Sequence, residues 1–211
     1  MRVSRDQAAE NRQNVIDVAS RLFRERGFDG IGIKDLMAGA GMTQGAFYKQ
    51  FQSKEDLAAQ ASKRALEDAV NRWSRAITEN PDDPIGVISA IVEFYLSPEH
   101  LGEKMNGCPM VALGADAARQ GSDVKASFES GINVHLDILE NLIAETGDEK
   151  PRDTAMAILS MMIGAMTLSR AVNDTGLAKN ILTANAAQIH KIFLFEKSGT
   201  PPAAQDDLPG S

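Results

Sequence analysis

Between Thr43 and Lys49 the chain sets out a hydroxyl, a carboxamide, a phenol and an ammonium: Thr43, Gln44, Tyr48 and Lys49. These groups suit hydrogen bonding to base edges and phosphate oxygens. Gly45 and Ala46 stand between them, small enough to let a backbone come close to such a partner. Lys54 follows at the start of the next expected helix, where free N–H groups and the helix dipole also favour a phosphate. Catalytic chemistry finds no comparable grouping. His100, His135 and His190 are scattered, no His/Asp/Glu cluster has metal-ligand spacing, and no glycine-rich phosphate loop is present. No enzyme activity, cofactor or metal is expected.

The elements around these residues read as helices. Val15, Val18, Ala19, Leu22 and Phe23 recur at helical spacing over residues 5–26, and Gly27 ends that helix. Residues 33–40 form a short second helix, Gly41-Met42-Thr43 a turn, and residues 44–51 a short third helix. Ser53 caps a long fourth helix from Lys54 to about Thr78, with Glu55 and Asp56 in its first turn. Two short helices joined by a tight glycine turn make a helix-turn-helix, whose second helix enters the major groove N-terminus first. Phe23, Leu36, Phe47, Phe51 and Leu57 read as its core. Asn80-Pro81-Asp82-Asp83-Pro84 breaks the long helix. A helix over 84–97 follows, then a loop or broken helix over 98–109, and helices at about 110–120, 122–146, 151–174 and 178–196. Residues 198–211 have the composition of a disordered tail.

Residues 14–57 resemble the N-terminal domain of the TetR family of transcriptional regulators. The resemblance is carried by Ile16 to Phe28, by Ile33-Lys34-Asp35-Leu36, and above all by Gly41 to Leu57, where Gly41, Gly45, Tyr48, Phe51, Lys54 and Leu57 fall at the family's spacing. Two positions depart from it. Gly32 replaces the usual Ser or Thr cap of the second helix, and Gln50 replaces an aromatic or His. The resemblance implies an all-α fold of about nine helices: a helix-turn-helix domain over 1–53, then a ligand-binding and dimerisation bundle over 54–197. It implies that Lys34, Thr43, Gln44, Gly45, Ala46, Tyr48, Lys49 and Lys54 meet a double-stranded DNA operator. Arg2, Arg5 and Arg12 read as surface charge, or as a phosphate-seeking arm. The implied function is a cytoplasmic homodimeric repressor, released from a near-palindromic operator by a small molecule. The competing reading is an all-helical small-molecule sensor or carrier that does not bind DNA.

Bulk properties fit this picture. The chain has 211 residues, 43% hydrophobic, 24% charged and 5% aromatic, with a net charge of −7. Over residues 1–64 eleven Lys and Arg face eight Asp and Glu, net +3; over residues 65–211 eleven face twenty-one, net −10. A basic head on an acidic body suits a DNA-binding module whose body points away from the duplex. No apolar run is long enough for a transmembrane helix, so no membrane partner is expected. Residues 154–172 are apolar nearly all round, and the last helix carries its own apolar stripe. Two such helices from each subunit suit a four-helix interface, or else complete one chain's core. A pocket for a mostly apolar effector is expected between the body helices. Its candidate lining is Met105, Met110, Met161, Met162 and Met166, with Trp73, Phe94, Tyr95, Phe128 and His135. The only cysteine, Cys108, sits in Gly107-Cys108-Pro109 beside a helix start. It reads either as a buried small hydrophobe or as a reactive thiol in the pocket.

Overall fold

The structure, a computed structural model, describes residues 5–79 and 82–196. Arg2, the Asn80-Pro81 step and the 198–211 tail lie outside the described residues. Nine α-helices and one 3-10 helix make up the described secondary structure, with no strand among them. They are α1 (Arg5–Arg26), α2 (Ile33–Gly39), the 3-10 helix η1 (Gln44–Lys49), α3 (Lys54–Glu79), α4 (Pro84–Tyr95), α5 (Pro98–Gly102), α6 (Pro109–Ala117), α7 (Ser122–Ala144), α8 (Pro151–Arg170) and α9 (Thr175–Glu196).

Glycine and proline set most of these boundaries. α1 stops because Gly27 takes φ +74 and donates its N–H to the Phe23 carbonyl at 2.8 Å, a turn that a left-handed residue makes possible. Pro84, Pro98, Pro109 and Pro151 each open a helix, where proline's missing N–H leaves no intrahelical bond unmade. The first three helical elements pack Val15, Ala19, Phe23, Leu36, Met37 and Phe47 into one apolar centre. α3 extends from there into the body and buries Leu57, Ala61, Ala65, Leu66 and Trp73. It packs most closely on α7, where a Cβ on Gly131 would come within 2.6 Å of Leu66.

Several elements differ from expectation; α8, for one, ends at Arg170 rather than at about 174. Residues 44–49 wind as a 3-10 helix rather than an α-helix. Ala46 and Gln50 donate to carbonyls three residues back, Thr43 and Phe47. Gly45 is a weak helix former, and sinking Phe47 into the core tightens the turn. The expected broken helix at 98–109 resolves into α5, capped by the Ser97 hydroxyl on the His100 N–H at 3.1 Å, and an irregular strap over residues 103–108. The last helix starts at Thr175, ahead of the expected 178, because the Asp174 carboxylate accepts from the N–H groups of Gly176 (2.8 Å) and Leu177 (3.1 Å).

Candidate functional site

The turn between α2 and η1 is closed by backbone bonds. Gly41 sits at φ +71. Its N–H reaches the Ala38 carbonyl at 3.0 Å, and the Met42 N–H reaches the Met37 carbonyl at 2.8 Å. This is the paired 5→2 and 6→1 arrangement of a Schellman turn. The Asn14 amide of α1 donates to the Ala40 carbonyl at 3.0 Å and pins the turn to the first helix. Phe47 and Phe51 stack at 5.5 Å beneath η1. Arg12 lies over the Phe51 ring at 5.0 Å and donates to Gln60 at 2.6 Å. Arg12 therefore braces α1 against α3, although it read from sequence as plain surface charge or part of an arm.

On this frame the candidate contact residues face outward. Thr43, Gln44, Gly45 and Lys49 are exposed, Tyr48 is 67% exposed, and Ala46 is half-buried. Tyr48 stands edge-on to Phe47 at 5.3 Å, which fixes its ring while leaving its hydroxyl outward. A Cβ on Gly45 would meet nothing within 4 Å, so no internal packing requires glycine there. Lys34 is exposed on the first turn of α2, whose cap Gly32 makes no side-chain bond. Lys54 is half-buried at the first position of α3. Ser53 caps that helix through the Asp56 N–H at 3.0 Å, and Asp56 returns a bond to the Gln52 N–H at 3.0 Å. Together the segment offers several donors without a hydrogen-bond partner among the described residues on one exposed edge, the chemistry of a groove reader.

The expected effector lining divides in two. Trp73, Phe94, Tyr95, Cys108 and His135 come together with His100 and Arg72 around a residual space of about 10 Å³, room for one water at most. Trp73 meets His135 edge-on at 4.7 Å, Tyr95 meets His100 at 4.8 Å, and Phe94, 45% exposed, stacks on His100 at 5.5 Å. Burial lowers the pKa of both histidines below the ordinary value. His100 Nδ1 bonds the Tyr95 carbonyl at 2.7 Å, and its Nε2 accepts the Cys108 N–H at 3.2 Å. That pair of bonds requires the neutral ring with its proton on Nδ1. Burial, and then the neighbouring Cys108, push the Tyr95 phenol well above its usual range.

Met110 and Phe128 instead line an open groove of about 560 Å³ between α6, α7 and α8. Ala117, Ile132 and Ile163 share its wall, with Lys125, Glu129 and Asn133 along α7. Gly114 lines it too, and a Cβ there would enter open space. Met162 and Met166 are fully buried in the body core and border neither space; Met105 and Met161 are half-buried. Periodicity gave no sign of His100, Arg72, Gly114, or the contacts of Arg24, Arg170 and Asp116 taken up below. Arg24 meets Gly107, Arg72 meets Asn106, Arg170 meets His100 and Asp116 meets Phe28 across 34 to 88 residues of chain. Among the described residues no group of His, Cys, Asp and Glu is arranged to hold a metal, and no helix is long and apolar enough to cross a membrane.

Residues 15–61 match the family model described as bacterial regulatory proteins, tetR family. The HTH-type transcriptional regulator AcrR of Shigella flexneri is 30% identical over 91 residues, 43% of this chain and 42% of that protein, so this alignment spans less than half of the relative. The HTH-type transcriptional regulator LmrA of Bacillus subtilis is 22% identical over 80% of this chain and 91% of its own length. In overall fold the chain is similar to the reduced form of Escherichia coli NemR, with a TM-score of 0.75 at 18% identity, covering 85% of this chain and 95% of that one.

Proposed function

We propose that the chain, a TetR-family transcriptional regulator with a DNA-binding helix-turn-helix, is a ligand-responsive repressor, acting as a homodimer on a near-palindromic operator. Residues 1–53 form its DNA-binding domain and residues 54–197 its effector and dimerisation domain. The observation that carries this reading is the Gly41 turn, which presents Thr43, Gln44, Tyr48 and Lys49 uncommitted on a braced edge. Gln44 reads a base edge, while Tyr48, Lys49, Lys54 and Lys34 hold phosphates. The dimer forms through α8 and α9, supported by Met156, Leu168 and Leu177, large apolar side chains left exposed on those helices. The effector is a small, mostly apolar molecule in the groove lined by Met110 and Phe128, whose size suits a drug-sized ligand. Residence is cytoplasmic.

Selection from random DNA tests the reading. It expects an enriched inverted repeat with half-sites about one helical turn, roughly 34–36 Å, or a multiple apart. Recovery of no enriched repeat would leave the non-DNA-binding sensor or carrier as the better account.

A further inference from the structure

Between its ends at Glu103 and Cys108, whose N–H groups bond His100, the strap over residues 103–108 is held through its carbonyls by arginines. Among the described residues, no backbone–backbone bond involves residues 104–107. Arg24, in the last turn of α1, donates Nη1 to the Gly107 carbonyl at 3.1 Å, and its Nε to the Ser20 carbonyl at 3.0 Å. Arg72 of α3 donates to the Asn106 carbonyl at 2.7 Å. Arg170, which ends α8, donates to the carbonyls of His100 (3.0 Å) and Glu103 (2.7 Å). Three guanidiniums from three helices thus converge on one short segment. None of them has a carboxylate within ion-pair distance among the described residues. The strap also leaves no slack. A Cβ on Gly107 would strike the Glu103 carbonyl and lie 2.9 Å from Arg170 Nη2.

Arg24 is the member that belongs to the DNA-binding unit. It is 7% exposed, and burial, then the charge of Arg72, bring its pKa down to about 10. A buried charge is strongly disfavoured when its hydrogen-bond partner leaves. Among the described residues, the Gly107 carbonyl is the only hydrogen-bond partner Arg24 has outside its own helix. The strap continues directly into α6. At the far end of α6, Asp116 accepts the Phe28 N–H at 3.4 Å, just beyond α1. The middle of α6 lines the open groove through Met110 and Gly114. The helix facing the groove is therefore tied to the DNA-binding unit at both ends.

We propose that Arg24 is the positioning residue that couples operator binding to the body: it holds the helix-turn-helix in its DNA-binding posture only while the strap keeps the Gly107 carbonyl in place. This rests on the DNA-binding reading above. Displacing the strap strands the Arg24 charge, and the end of α1 moves to resolve it. By reciprocity, a bound operator must in turn stabilise the strap.

Hydrogen exchange on the full chain, with and without the operator duplex recovered by selection, reads this directly. The operator is expected to slow exchange at the Glu103 and Cys108 amides, the two N–H groups that tie the strap to His100, by about fivefold or more. Arg24→Met is expected to abolish that response. Arg72→Met, which loosens the strap without touching α1, is expected to speed strap exchange in both states yet keep the response. If Arg24→Met does not fold, Gly107→Ala serves instead: it displaces the strap and is expected to weaken operator affinity by about fivefold or more. Protection of η1 without protection of the strap, an intact response in Arg24→Met, or unchanged affinity in Gly107→Ala overturns the coupling. If the duplex protects nothing, the DNA-binding reading fails and takes the coupling with it.

Discussion

Roles within the recognition segment separate by substitution. On the proposed phosphate contacts, Tyr48→Phe and Lys54→Ala are each expected to weaken binding to every sequence by about 1 kcal/mol. Lys54→Ala is also expected to flatten the salt dependence by about one unit of slope. Gln44→Ala is expected to change the preferred base at one operator position instead. Equal losses for all three on specific and random duplexes, measured by fluorescence anisotropy, would remove Gln44 from base reading. At Cys108 the structure sharpens a choice that composition left open. The side chain is 3% exposed, and its backbone N–H is committed to His100, so it is read as a packing residue. Cys108→Ser is expected to lower stability by about 1–3 kcal/mol, the effect of a buried hydroxyl without a partner. A thiol reagent is expected to label the native wild type slowly, and peroxide to leave its operator complex intact. Peroxide release that the serine variant lacks would reverse that assignment. His100 and His135 carry a pH prediction. Both have a folded pKa below the ordinary value because burial disfavours the charged ring. The unfolded chain therefore binds more protons in the window between the lowered value and about 6.5, and stability falls as pH drops through it. The slope is at most about 1.4 kcal/mol per pH unit for each histidine. Melting curves of wild type and His135→Gln from pH 7 to pH 5 check this; identical pH slopes would exclude a contribution from His135.

The two glycines of the recognition element answer to different forces, and substitution tells them apart. Gly41 is needed by the turn, since φ +71 strains any side chain. Gly41→Ala is expected to lower stability by about 1–2 kcal/mol, and DNA affinity with it. Gly45 has neither a positive φ nor a neighbour within 4 Å. Gly45→Ala is expected to leave stability unchanged or raise it by up to about 1 kcal/mol, yet weaken operator binding if the backbone approaches the duplex there. A thermal melt paired with a binding isotherm decides; unchanged affinity would place Gly45 away from the DNA. The same contrast explains what was legible in advance. Arg5–Arg26 was readable because its apolar stripe runs straight into Gly27. α4, α6 and α8 were readable because a proline opens each. The tightening of 44–49 into a 3-10 helix was not, since bonds to the third and fourth residue differ by a register that no residue type marks. The outward face at Thr43, Gln44 and Tyr48 was legible because Phe47 and Phe51 had to point the other way. The arginine clasp was illegible for another reason. Arg24 and Gly107 stand 83 residues apart, and Asp116 and Phe28 88 apart, and hydrophobic period carries no information about a guanidinium meeting a backbone carbonyl.

For the whole molecule, the proposed function depends on two copies holding two recognition elements at the spacing of the groove. Leu168 is exposed on α8, and Leu177 on α9. Leu168→Glu is expected to shift the protein from dimer to monomer in sedimentation and to lower operator affinity at least tenfold, while the far-ultraviolet dichroism of the helices is retained. A dimer that survives this change would move the interface elsewhere. α3 gives the spacing its mechanical sensitivity. It runs unbroken from Lys54, beside the recognition edge, to Glu79, past Trp73 and Arg72, which meet the aromatic cluster and the strap. At 1.5 Å per residue the stretch from Lys54 to Trp73 is a rod of about 28 Å. Pivoted at its body end, such a rod tilted by only about 6° swings its tip through about 3 Å. Two rods swinging apart in a symmetric pair would alter the gap between tips by up to about 6 Å, a sizeable part of one groove repeat of roughly 34 Å. In the proposed dimer, a side-chain-sized displacement around the strap would thereby be geared up into a misfit that neither recognition element could correct alone.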